Sequence, residues 1–72
     1  MEKNIYGLES IRKARGLNRR ELELLSGVKR LTILTLEHDY KKLYVAKLET
    51  LVKLAKALRV KVSDLFPNGK IF

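Results

Sequence analysis

Apolar residues recur every three or four positions along most of the chain, the spacing that keeps one face of an α-helix apolar. Leu8, Ile11 and Ala14 make the first such face, and Arg15-Gly16 closes it, because glycine accepts the left-handed backbone on which helices often end. The pattern predicts a first helix from about Gly7 to Arg15. Asn18 is then placed to cap a second helix, with Glu21 as its reciprocal partner, and Leu22 and Leu25 supply an inward stripe up to Ser26-Gly27. Ile33 and Leu36 mark a third short helix from about Arg30 to Glu37 that ends near His38-Asp39. The stretch from Tyr40 to Ala46 shows no clear helical face and reads as an exposed, partly extended connection. Leu48, Leu51, Leu54, Ala55 and Leu58 define a fourth helix starting at about Lys47, with Glu49 and Lys53 paired on its outer side. A last short helix, about Val62 to Phe66, stops at Pro67-Asn68-Gly69. The prediction is an all-α, five-helix domain over residues 1–72, with short terminal strands at Ile5-Tyr6 and Ile71-Phe72 as the one β element the pattern leaves room for.

Composition narrows the partners. Seventy-two residues support one small core, and the absence of cysteine removes disulfides and thiolate metal sites. Sixteen Lys and Arg against eight Asp and Glu leave a net charge of +8, which attracts polyanions without selecting nucleic acid among them. One histidine and no clustered carboxylates offer neither a nucleophile-base pair nor a metal or cofactor site, so no catalytic role is expected. Five scattered aromatics make no stacking platform for RNA. Charge interrupts every apolar stretch, and the charged N-terminus lacks an apolar signal region, so a cytoplasmic location is expected.

Two short helices joined across Gly27, with Leu22, Val28, Ile33 and Leu36 as the contacts between them, have the organisation of a helix-turn-helix over Asn18 to Glu37. From Leu8-x-x-Ile11-Arg12 through Arg15-Gly16-Leu17-Asn18, Leu25-Ser26-Gly27-Val28, Thr32-Ile33 and Leu36-Glu37 to LETLVKLAKAL and Val60-x-x-x-Asp64-Leu65-Phe66, the chain resembles the lambda-repressor-like family of Cro and repressor proteins. That resemblance implies a five-helix domain whose second and third helices read double-stranded DNA, and a homodimer on a two-fold operator.

Carried over by position, Arg19 falls where the family usually has a DNA-contacting glutamine, and Lys29, Arg30, Leu31, Thr32, Leu34 and Thr35 fall on or beside the reading helix. Arg30 either reads guanine, whose O6 and N7 match its planar fork, or contacts phosphate alone. Thr32 and Thr35 suit phosphate or a thymine methyl, and equally suit ordinary helix surface. Arg12 and Glu37 match a family ion pair between the first and third helices, which would orient Arg12 toward phosphate. Lys41 and Lys42 follow the reading helix where the family's loop meets the backbone, and Tyr40 or His38 could add a hydrogen bond, although a histidine at a helix end needs no ligand to explain it.

The chain also departs from that family. Glu23 stands where a small residue is usual and needs to tilt outward or to find Arg20, Lys29 or Arg30. Lys29 and Lys61 replace hydroxyl or amide caps, at a cost of about 1 kcal/mol each. Arg59 and Asp39 occupy helix-ending glycine positions, where aspartate is the better left-handed residue, and the connection before LETL is longer than usual. Leu31 and Leu34 put apolar side chains on the DNA-facing side, either against thymine methyls or, with Leu24, against a protein partner. The first expectation is therefore a phage- or plasmid-type repressor; the alternative is an antitoxin-like interaction module on the same fold. Leu65, Phe66, Ile71 and Phe72 are the candidates for dimerisation, against the equal alternative that they close the chain's own core.

Overall fold

The computed structural model describes residues 6–69, so Ile5, Ile71 and Phe72, and the terminal strands expected of them, lie outside the described residues. Four α-helices, α1 (Leu8–Ala14), α2 (Arg19–Ser26), α3 (Arg30–His38) and α4 (Leu48–Leu58), with a 3-10 helix at Tyr40–Val45 between α3 and α4, are followed by a 3-10 helix at Val62–Leu65 and a turn at Pro67–Gly69. No strand occurs among the described residues, and no helix there is long and apolar enough to cross a membrane. The all-α expectation holds.

The core follows from the helical spacing. Leu8 and Ile11 of α1, Leu22 of α2, Ile33 and Leu36 of α3, and Leu51, Leu54, Ala55 and Leu58 of α4 all turn inward. Leu22, Ile33, Leu54, Leu58 and Leu65 are fully buried, each contributing roughly 1.5–3 kcal/mol of transfer free energy relative to exposure. The Gly7 amide donates to the Asp64 carbonyl at 2.8 Å and ties the start of α1 to the Val62–Leu65 turn. The Asp64 carboxylate in turn accepts from the Lys61 amide, the half of a capping box that needs no acceptor on the Lys61 side chain.

Several positions differ from the sequence reading. Ala14, Leu25 and Leu48 are exposed, because short helices bury only a narrow stripe and these residues lie at its edge or beyond its end. The Tyr40–Ala46 connection is not extended: Tyr40–Val45 winds into a 3-10 helix that drives Leu43 into the core at 2% exposure. Asp39 is extended, at φ −132°, rather than left-handed, and its carboxylate caps this 3-10 helix by accepting from the Lys41 amide. Leu65 and Phe66 are 0% and 2% exposed, so they close the chain's own core and present no surface for dimerisation.

Two helix ends share one motif. At the end of α1 the Leu17 amide donates to the Arg12 carbonyl and Gly16 sits at φ 72°. At the end of α4 the Val60 amide donates to the Ala55 carbonyl around a left-handed Arg59 at φ 60°. Both are Schellman closures, in which the left-handed residue returns the chain and satisfies terminal carbonyls.

Candidate nucleic-acid interface

The interface begins at the cap of α2. Asn18 Oδ1 accepts from the Glu21 amide at 2.8 Å, and Glu21 Oε1 accepts from the Asn18 amide at 2.8 Å. This reciprocal box, legible in the sequence, fixes the first turn that carries Arg19 and Arg20. The turn into α3 uses left-handed Gly27 at φ 78°, and Ser26 Oγ accepts from the Val28 amide at 3.1 Å. Lys29 precedes α3 without a side-chain cap and is exposed.

Within α3, Ile33, Leu36 and the Glu37 carboxylate point inward, which leaves Leu31, Thr35 and His38 outward by helical periodicity. Leu31 is 72% exposed, Leu34 is half-buried, and Thr32 lies exposed on the flank. The Thr35 hydroxyl donates to the Leu31 carbonyl at 3.0 Å, so a partner meets its methyl group and its acceptor lone pairs. Arg30, Leu31 and Leu34 join Arg12, Asn18, Arg19 and Arg20 around a cleft of about 590 Å³.

Behind this cleft lies a shared-carboxylate network. Glu37, with its side chain 1% exposed, accepts from Arg12 Nε at 2.7 Å and Nη2 at 3.2 Å, and from Arg19 Nε at 2.9 Å. Arg12 Nη1 donates to the Leu17 carbonyl at 2.8 Å. Glu9 adds charge contacts to Arg12 at 3.8 Å and to Arg19 at 3.6 Å. The hydrogen bond to Glu37, opposed by burial and helped by the charges of Glu37 and Glu9, raises the Arg12 pKa above its ordinary value.

The network corrects the expectation that Arg12 faces phosphate: it is 6% exposed and its guanidinium is spent on Glu37 and Leu17. Arg12 positions α3 against α1. Arg19 is part-exposed and shares Glu37 with Arg12 and Glu9 with Arg12 and Lys13, so its charge is only partly compensated. Arg20 and Arg30 take part in no ion pair among the described residues and supply the uncompensated charge of the cleft. Sequence reasoning did not select Arg20; its first-turn position beside the Asn18 cap was the available signal. Lys41 and Lys42 are exposed on the 3-10 helix after α3 and do not line the cleft. Glu23 is half-buried and, among the described residues, joins no ion pair with Arg20, Lys29 or Arg30.

A capped helix, a glycine turn and a second helix presenting its outer face beside unpaired arginines form the geometry by which a helix enters the major groove. The helix-turn-helix family model matches residues 8–65, from the first residue of α1 to the end of the 3-10 helix at Val62–Leu65. The chain belongs to the lambda-repressor-like helix-turn-helix family. No curated protein and no solved structure matches it. Within this family the fold is a DNA-binding regulator, with α2 and α3 as the helix-turn-helix.

Proposed function

We propose that this helix-turn-helix domain is a sequence-specific transcriptional regulator of the phage or plasmid repressor type, which acts in the cytoplasm by occupying an operator as a dimer with α3 in the major groove. The observation that carries the reading is the cleft in which Arg20 and Arg30, free of carboxylate partners among the described residues, flank the exposed Leu31. Arg30 is assigned to base reading, Leu31 and Leu34 to thymine methyls, Thr32, Thr35 and Lys29 to the groove edge, and Arg19, Arg20, Lys41 and Lys42 to phosphate. With Leu65 and Phe66 inside the core, a dimer contact at the C-terminal end falls to Ile71 and Phe72. Selection from random DNA duplexes tests the proposal: a recurring two-fold site supports it, and an unenriched pool contradicts it.

One observation favours a second reading. Leu24 and Leu31 are 76% and 72% exposed, more apolar surface than a phosphate-bound face requires. An antitoxin-like module would use these side chains and Leu34 against another polypeptide. Binding through them would respond little to salt, whereas groove binding weakens steeply as salt rises.

A further inference from the structure

Away from the arginine cleft, a groove of about 560 Å³ runs between the end of α1, the end of α2 and the end of α4. Leu17, Ala57 and Leu58 form its floor, Leu25 its wall at 62% exposure, and Arg15 and Arg59 its rim. We propose that this groove is a docking site for a peptide segment of a partner protein that presents a carboxylate beside a bulky apolar side chain.

The charge pattern selects that chemistry. The lining contains two arginines and no acidic residue. Arg15 Nε donates to the Leu58 carbonyl at 2.9 Å, which anchors the guanidinium at the rim and leaves its other donors for an incoming acceptor. A phosphate would find both cations but no use for the leucine wall and floor. A second copy of the chain, which carries a net charge of +8 of its own, is the competing occupant that the sedimentation arm of the test below separates.

Arg59 gives an independent argument. The same Schellman closure is built with glycine at Gly16, where the left-handed backbone carries no Cβ penalty, and with arginine at Arg59. A non-glycine residue there costs about 1–2 kcal/mol. Among the described residues the Arg59 side chain makes no hydrogen bond or ion pair that offsets this cost. Strain of this kind tends to persist where the side chain has work to do.

The groove and the arginine cleft share no lining residue. Leu25 and Arg20 are separated on α2 by about 140° around the helix and about 7.5 Å along it. The two sites are therefore distinct, and the existence of the peptide site does not depend on the DNA reading.

The test is a display selection of short linear peptides on the full-length chain in excess random-sequence duplex, followed by anisotropy titration of one labelled winner. Enriched peptides should carry Asp or Glu adjacent to Leu, Ile or Phe. Affinity should fall by about tenfold or more in Arg59→Gly, in Leu25→Ser, and when the peptide carboxylate becomes an amide. Arg59→Gly relaxes the backbone and Leu25 is exposed, so neither loss reflects unfolding, which circular dichroism of both variants verifies. The inference is overturned by an unenriched pool, by winners without a carboxylate, or by affinities unchanged in both variants. It is equally overturned if Leu25→Ser converts a dimer to a monomer in sedimentation, which would make the groove a self-interface. Loss of duplex binding with retained peptide binding would count against the DNA reading alone.

Discussion

Arg12 and Glu37, 25 positions apart in the chain, meet through two hydrogen bonds at 2.7 and 3.2 Å, and the carboxylate that joins them is almost completely buried. The pair fixes the end of α3 to α1, and Arg19 closes on the same carboxylate from α2. One buried acid thus sets the mutual placement of three helices. Glu37→Gln removes the buried counter-charge of Arg12 and leaves it only the more distant Glu9 at 3.8 Å; breaking a buried pair costs about 3–5 kcal/mol. Urea unfolding of that variant should show most of the domain's stability lost. Replacing both residues by apolar ones, Arg12→Met with Glu37→Leu, should cost markedly less, since the desolvation penalty then disappears. Equal losses in the two would show that the pair does not carry this role.

The unequal pairing of the arginines gives a salt-dependence prediction. Arg20→Ala should lower the slope of log affinity against log salt by about 0.9, the release expected for one phosphate contact. Arg19→Ala should lower it less, because its charge is partly balanced by the carboxylates of Glu37 and Glu9, which it shares with Arg12 and Lys13. Titrations on operator and random duplex across a salt series provide the comparison, and a larger slope change for Arg19→Ala would reverse the assignment.

Much of this arrangement was legible in the sequence, and what was not has identifiable causes. The Asn18–Glu21 box, the Gly27 turn, the inward Ile33 and Leu36, and the Arg12–Glu37 pair each rest on local spacing or a motif position, and all occur in the structure. The 3-10 helix at Tyr40–Val45 was hidden because its one buried residue, Leu43, gives no periodicity to detect. Leu65 and Phe66 read as spare apolar surface because the sequence does not tell how much core the short helices leave unfilled. The engagement of Arg19 with Glu37 depends on the crossing of α2 and α3, which no single-helix pattern encodes.

Backbone strain at Arg59 predicts a stabilised variant. Arg59→Gly removes the left-handed penalty of about 1–2 kcal/mol and returns part of it as unfolded-state entropy. A net gain of about 0.5–1 kcal/mol should appear as a higher urea midpoint with an unchanged slope. A lower midpoint would show that the Arg59 side chain contributes more to the fold than its contacts indicate.

The outward face of α3 predicts a base-specific coupling. If Leu31 packs on a thymine methyl, replacing that thymine with uracil should weaken the wild type and leave Leu31→Ala nearly unaffected. Leu31 is 72% exposed, so its loss should not alter folding. Additive effects of the base and side-chain changes would exclude the contact.

The central claim, that α3 and the Arg20–Arg30 cleft hold DNA in the major groove, is tested most directly by titrating the chain and its Arg30→Ala variant on a duplex selected from a random pool and on random duplex. The account predicts a loss of about 1–3 kcal/mol on the selected duplex, confined to preference at one base pair, with a much smaller loss on random DNA. Equal losses on both duplexes would reduce Arg30 to a phosphate contact. No loss on either would contradict the account.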